Sequence, residues 1–301
     1  MDSAVARLLF LLLLGVLGVH AAPQTSPSAL TEAEISKYTP YTYYARATYC
    51  GVSTKKWNCG ESCTKNPTFK LTDAGGDGNL TQYWYVGYDP TLKTVIVAHQ
   101  GTDTSNSGAI ATIMDVAQVH PSKSLFPGVS PNMLVHKGFA ESHSRSAPAV
   151  LAAVQKTLKE PGVVKHITLV GHSLGAALSL LDGIYLPLHV PGVAFSVVGY
   201  GMPRVGNKAF ADYVDAHVKS LVRINNGEDP VPVMPDVQSG YHHPSGEIHI
   251  SNKDRKWYKC TGQEDKSKEC SDGSGASIFS AFTGGLSDHS GPYGSVSFSK
   301  C

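Results

Sequence analysis

The sequence predicts an α/β fold: one mostly parallel sheet with helices on both faces. Three observations predict it. Strand-like and helix-like segments alternate through the second half of the chain, as they do where helices cover a parallel sheet. A Gly-x-Ser-x-Gly string joins one such strand directly to one such helix. No internal repeat or mid-chain linker divides the 301 residues, so 22–301 read as one domain.

Residues 22–30, rich in Pro and Ser, read as a loose leader. Thr31-Glu32-Ala33-Glu34 is a capping box that opens a short helix, because each side chain can bind the other's backbone amide. Residues 82–88 and 94–99 read as strands, with Gly87 and Asp89-Pro90 marking a hairpin. A helix is expected over 146–159, where Ala149, Leu151, Ala152, Val154 and Leu158 are apolar. Then come a strand at 166–170, a helix at 174–185, a strand at 193–200 and a helix at 208–217. Strands at 220–224 and 247–250 follow; His249 alternates there with Ile248 and Ile250 and is expected to point away from the core.

Hydrophobic residues make up 42% of the chain, which excludes global disorder. Charged residues make up 16%, below the roughly 25% of an average soluble domain. A net charge of +1, with no basic block, excludes a nucleic-acid partner. Residues 1–21 read as a secretory signal: Arg7 is followed by an apolar run over 8–19, and cleavage is expected after Ala21. That run is too short to cross a hydrocarbon core of about 30 Å, and no later segment is a transmembrane candidate. An extracellular location is therefore expected, where cysteines pair. Short loops favour Cys59–Cys63 and Cys260–Cys270 among the several possible connectivities, leaving Cys50 for Cys301. The spacings lack a paired Cys-x2-Cys, so no metal is expected. Asn79-Leu80-Thr81 is a glycosylation sequon in a Gly/Asp-rich turn.

Gly171-His172-Ser173-Leu174-Gly175 carries the chemistry. It follows an apolar β-branched strand and precedes a small-residue helix. In that setting the glycines allow a sharp bend, and the bend lifts Ser173 clear of the sheet, above a helix N-terminus that can stabilise an oxyanion. A serine hydroxyl is a weak nucleophile and needs a base oriented by a carboxylate. Asp229 follows the strand at 220–224, in a loop at a carboxyl end; Glu228 and Asp236 are the alternatives. His242, His243, His249 and His289 follow Asp229, and chain order gives His289, in its polar loop, only a modest edge.

Several motifs in order resemble the fungal class 3 lipases, secreted triacylglycerol lipases with an α/β-hydrolase fold. They are Tyr49-Cys50-Gly51, Val135-His136-Lys137-Gly138-Phe139, the elbow itself, Gly201-Met202-Pro203-Arg204-Val205-Gly206-Asn207, Asp229-Pro230-Val231-Pro232, Tyr241-His242-His243-Pro244-Ser245-Gly246-Glu247 and Asp288-His289. The resemblance implies a Ser173–Asp229–His289 triad and assigns His242 and His243 to a structural segment. It implies an oxyanion hole from Thr102 and the Leu174 amide, and a terminal disulfide like Cys50–Cys301. It also implies a short helical lid after Thr102, where Ile110, Ile113 and Met114 fall on one helical face. No cofactor or metal is implied, and the partner is a lipid or other ester, met at an oil–water interface by a monomer. A feruloyl or short-chain esterase on the same fold is the alternative, and the polar lid start at 105–109 suits it. A catalytically silent lipid-binding protein is the other.

Overall fold

The structure is a computed structural model, and it describes residues 26–103, 116–277, 279–280, 285–298 and 301. The expected signal at 1–21 and the lid residues Ile110, Ile113 and Met114 lie outside the described residues.

Among the described residues, nine strands form the main sheet: β1 (Ser28–Ala29), β2 (Lys70–Gly75), β3 (Trp84–Asp89), β4 (Thr94–His99), β7 (His166–His172), β8 (Ala194–Tyr200), β10 (Leu221–Asn226), β12 (Glu247–Ile250) and β13 (Trp257–Lys259). Their order is β1-β13-β12-β10-β8-β7-β4-β3-β2. The centre, β4-β7-β8-β10-β12, is parallel, and the flanking pairs are antiparallel. A second sheet joins the short strands β5 (Gln118–Val119), β6 (Val135–His136), β9 (Gly206–Asn207) and β11 (Tyr241–His242). The helices are α1 (Glu32–Ser36), α2 (Thr39–Ala47), α3 (Glu61–Thr64), α4 (Lys137–Thr157), α5 (Leu174–His189), α6 (Lys208–His217) and α7 (Gly285–Ser290).

The period of two along each strand sorts side chains into two cores. Val95, Val97, Ile167 and Leu169 join α4, α5 and α6 on one face. Ile96, Ala98, Val170 and Ile224 join α2, Trp257, Tyr293 and Phe298 on the other. Every residue of β4 is buried, as a strand covered on both faces requires.

Several expectations need correction. The leader is not loose throughout, since Ser28 and Ala29 pair with Lys259 and Tyr258. The helix expected from 146 begins at Lys137, where the His136 ring accepts from the Phe139 amide. Its first half buries Ser142, His143 and Ser146, so apolar periodicity gave no signal there. The hairpin strand expected at 82–88 is Trp84–Asp89. His249 does not point to solvent: it is 1% exposed, with ring nitrogens 2.7 Å from the Glu269 carbonyl and 2.8 Å from that of Gly227. β12 is buried on both faces, so alternation could not separate inside from outside.

The capping box at Thr31 and Glu34 is formed. The three bonds Cys50–Cys301, Cys59–Cys63 and Cys260–Cys270 are present, the first spanning 251 positions. Asn79 is exposed in its turn.

Candidate active site

The elbow is built by β7 running straight into α5. Ser173 sits between them at φ 58° and ψ −129°, a conformation that strains any residue with a Cβ. Two glycines make the crossing possible. A Cβ on Gly171 would lie 2.2 Å from the Gly175 carbonyl oxygen, and one on Gly175 would lie 2.2 Å from that of His99. Leu174 is the first helical residue, so its amide has no intrahelical acceptor and faces the turn.

Asp229 follows the carboxyl end of β10 and is 1% exposed. Its Oδ1 accepts from the Val231 amide at 2.9 Å, and its Oδ2 lies 2.8 Å from His289 Nδ1. An ionised carboxylate only accepts, so Nδ1 carries the hydrogen and Nε2 is left with a lone pair. Asp288, beside His289, fixes this end of α7. Its Oδ2 accepts from the Glu228 amide at 2.8 Å and from Asn252 Nδ2 at 2.9 Å, and its carbonyl accepts from Asn226 Nδ2 at 2.8 Å.

Thr102 lies just past β4, with its Oγ1 buried and unpartnered among the described residues. A Cβ on the preceding Gly101 would fall 2.5 Å from the His172 carbonyl oxygen and 3.1 Å from Ser173 Cβ. The segment carrying Thr102 therefore lies flush against the elbow.

Residues 96–239 match the model of the lipase (class 3) family. A secreted mono- and diacylglycerol lipase of Malassezia globosa is 30% identical over 250 residues, covering 81% of this chain and 79% of that one. This chain belongs to the class 3 lipases. Among solved structures, a lipase from Rhizopus microsporus var. chinensis superposes with a TM-score of 0.76 at 26% identity, covering 92% of this chain and 93% of that one. A triacylglycerol lipase whose catalytic centre is a serine protease triad superposes with a TM-score of 0.75 at 26% identity, covering 91% and 99%.

This lipase also places residues around the elbow that sequence reasoning missed. His172 Nε2 lies 2.8 Å from the His289 carbonyl oxygen, so that nitrogen donates and Nδ1 accepts from the Tyr49 hydroxyl at 2.6 Å. Burial holds the His172 imidazole well below its ordinary range, and the neighbouring His289 adds to this, so His172 acts as a neutral brace. Phe298 stacks on its ring at 4.2 Å. No local pattern could reveal these contacts, since Tyr49 and His172 are 123 positions apart.

Arg204, from the Gly-x-Pro-Arg string, is 2% exposed and braces the loop after Asp229. It donates to the carbonyls of Val233 and Pro235 and to the carboxylates of Glu264 and Asp272. The other candidates lie elsewhere. Glu228 is exposed, and Asp236 is exposed and caps Gln238. His243 is buried with Nε2 2.7 Å from the Pro232 carbonyl, and burial lowers its pKa well below the usual range. His242 is 3.9 Å from Glu264.

Proposed function

We propose that this lipase hydrolyses acylglycerols, triacylglycerols foremost, through an acyl-enzyme on Ser173. His289 Nε2 takes the Ser173 proton as Oγ attacks the ester carbonyl, then delivers it to the leaving alcohol. Asp229 orients the ring and stabilises the imidazolium. Thr102 and the Leu174 amide hold the tetrahedral oxyanion. Water, activated by the same histidine, releases the fatty acid. The observation that carries this reading is the 2.8 Å bond between His289 and Asp229, its histidine braced against the residue before a strained serine.

The protein is proposed to be secreted after cleavage at Ala21, to act as one domain and a monomer, and to carry a glycan on Asn79. Ile110, Ile113 and Met114 are proposed as the apolar stripe of a lid. Among the described residues no helix is long and apolar enough to cross a membrane, and large apolar side chains such as Phe279 and Leu286 are exposed, which suits an oily substrate.

A relative's naming for mono- and diacylglycerols favours partial glycerides as the second reading. The test compares emulsified long-chain tri-, di- and monoacylglycerols with soluble butyrate and feruloyl esters. Triacylglycerol hydrolysis is expected, together with organophosphonate labelling that disappears in Ser173→Ala. Turnover of partial glycerides alone would select the second reading, and inactivity on every emulsion would reduce the protein to an esterase.

A further inference from the structure

A buried polar cluster outside the triad joins the two halves of the oxyanion hole. His99 is the last residue of β4, Asp182 lies in α5, and His143 lies in α4; each is wholly buried. His99 Nε2 is 2.7 Å from Asp182 Oδ2, and His143 Nε2 is 2.8 Å from Asp182 Oδ1. Each carboxylate oxygen thus takes one imidazole. Burial alone would raise the Asp182 carboxyl, but the bonds from His143 and His99 outweigh it and bring it from 3.8 to about 2. The group is an anion at working pH, and both Nε2 atoms donate to it. The Nδ1 atoms of both rings have no partner among the described residues, so the side-chain hydrogen bonds of both rings converge on Asp182.

Such a cluster is a poor way to gain stability. Apolar side chains of similar volume often do as well or better at a buried site. What charge-assisted bonds add is direction, because they hold two elements at one distance and one angle. The elements joined here are informative. β4 leads through Gln100 and Gly101 to Thr102, one proposed oxyanion donor. α5 begins with Leu174, the other. The first turn of α5 already lies on the backbone of β4's end, where a Cβ on Gly175 would collide with the carbonyls of His99 and Gln100. That contact limits how close the two can come, but repulsion cannot stop them separating or sliding. Apolar packing draws the two together without fixing an angle, the His99–Asp182 bond adds a directional attraction, and His143 ties the same carboxylate to α4.

We infer that Asp182 is a positioning residue, which through His99 sets the placement of Thr102 relative to the Leu174 amide and so tunes oxyanion stabilisation. This rests on the proposed roles of Ser173, Thr102 and Leu174. Its effect should fall on the transition state and leave substrate binding nearly intact, because the oxyanion exists only there. Displacing a catalytic group by about 1 Å costs about 100-fold, so a loosened joint should cost about 10- to 100-fold in kcat.

The test uses the full mature chain with a soluble butyrate ester and a phosphonate that mimics the tetrahedral state. Asp182→Asn keeps the side-chain volume but removes the charge from both bonds, and its Oδ1 can accept from only one Nε2. It is expected to lower kcat and the phosphonate inactivation rate together by about 10- to 100-fold, with KM nearly unchanged. His99→Gln, which keeps a donor near the Nε2 position facing an intact Asp182, is expected to lose much less. The loss should shrink in a Thr102→Val background, where the hole is already impaired. Val150→Ala, a buried change in α4, serves as the stability control: it should lower Tm and keep kcat. If Asp182→Asn does not fold, His99→Leu takes its place with the same expectations, and failure of both to fold would make the cluster a folding requirement and overturn the inference. A kcat that changes no more than in Val150→Ala, or full additivity with Thr102→Val, would also overturn it. Ser173→Ala separates the two levels: if it stays active the triad reading fails, and if it is dead while Asp182→Asn is unimpaired only this inference fails.

Discussion

Thr102 presents a buried hydroxyl with no hydrogen-bond partner among the described residues, at the point where the proposed oxyanion would form. A buried donor left unpaired costs folding free energy, so its loss should not harm the fold. Thr102→Val keeps the shape and the backbone amide and removes only the hydroxyl. It should lower kcat about 100-fold, as removal of an oxyanion donor does, while Tm holds or rises. Steady-state kinetics beside thermal melts would decide it, and a fall in Tm with kcat intact would make the hydroxyl structural. Ser173 was legible in sequence because its setting is local, a strand, a glycine-flanked turn and a helix within a few residues. His289 was not legible on chain order alone, because three other histidines follow Asp229. The structure separates them by what their nitrogens face: main-chain carbonyls for His243 and His249, and the Asp229 carboxylate for His289. The braces from Tyr49 to His172 and from His99 to Asp182 join distant segments and leave no periodic trace.

The loop after β10 depends on a partner element, the disulfide-closed segment from Cys260 to Cys270 and the turn after it. Arg204 bonds to carbonyls on the first and to Glu264 and Asp272 on the second. Burial, with the neighbouring Glu264, pushes the Asp272 carboxyl up from 3.8 to about 6. Glu264 is also raised by burial, but Arg204 outweighs this and holds it down from 4.5 to about 2. The two carboxylates thus keep one proton between them across mildly acidic pH. The folded state binds more protons than the unfolded state at Asp272 between 3.8 and about 6, so stability falls as pH rises through that window. At Glu264 the sign reverses, and stability is lost as pH falls from 4.5 towards about 2. Asp272→Asn should remove the first slope and keep the second. Melting temperature against pH for both proteins would show it, and identical slopes above pH 4.5 would refute the shared proton. The two carboxylates lie 60 and 68 positions from Arg204, so the sequence displayed the arginine in its motif but not what it holds. The helices were legible where one apolar stripe faces the sheet, as in α6. They were not legible where polar side chains are buried, as in the first half of α4.

Across the whole molecule, Cys50–Cys301 closes 251 positions of chain, whereas Cys59–Cys63 closes 4. The cost of bringing two chain segments together grows with the logarithm of the loop between them, so the long closure removes more freedom from the unfolded chain. The long bond also has a local consequence. Tyr49, next to Cys50, bonds the His172 ring, and Phe298, near Cys301, stacks on it. The segments on either side of the Cys50–Cys301 bond therefore converge on His172, the residue before Ser173, and the disulfide ties them together there. Replacing Cys50 and Cys301 by Ser should lower the unfolding free energy by about 2–5 kcal/mol. The same change at Cys59 and Cys63 should cost less. Only the first pair should also lower kcat well below the melting temperature, because only it loosens the brace on His172. Denaturant titrations of the two double variants, with kcat read in dilute denaturant, would test both halves. An equal stability loss at both pairs would mean that local contacts outweigh loop closure, and an unchanged kcat in the first pair would mean that Tyr49 and Phe298 hold His172 without help from the ends of the chain.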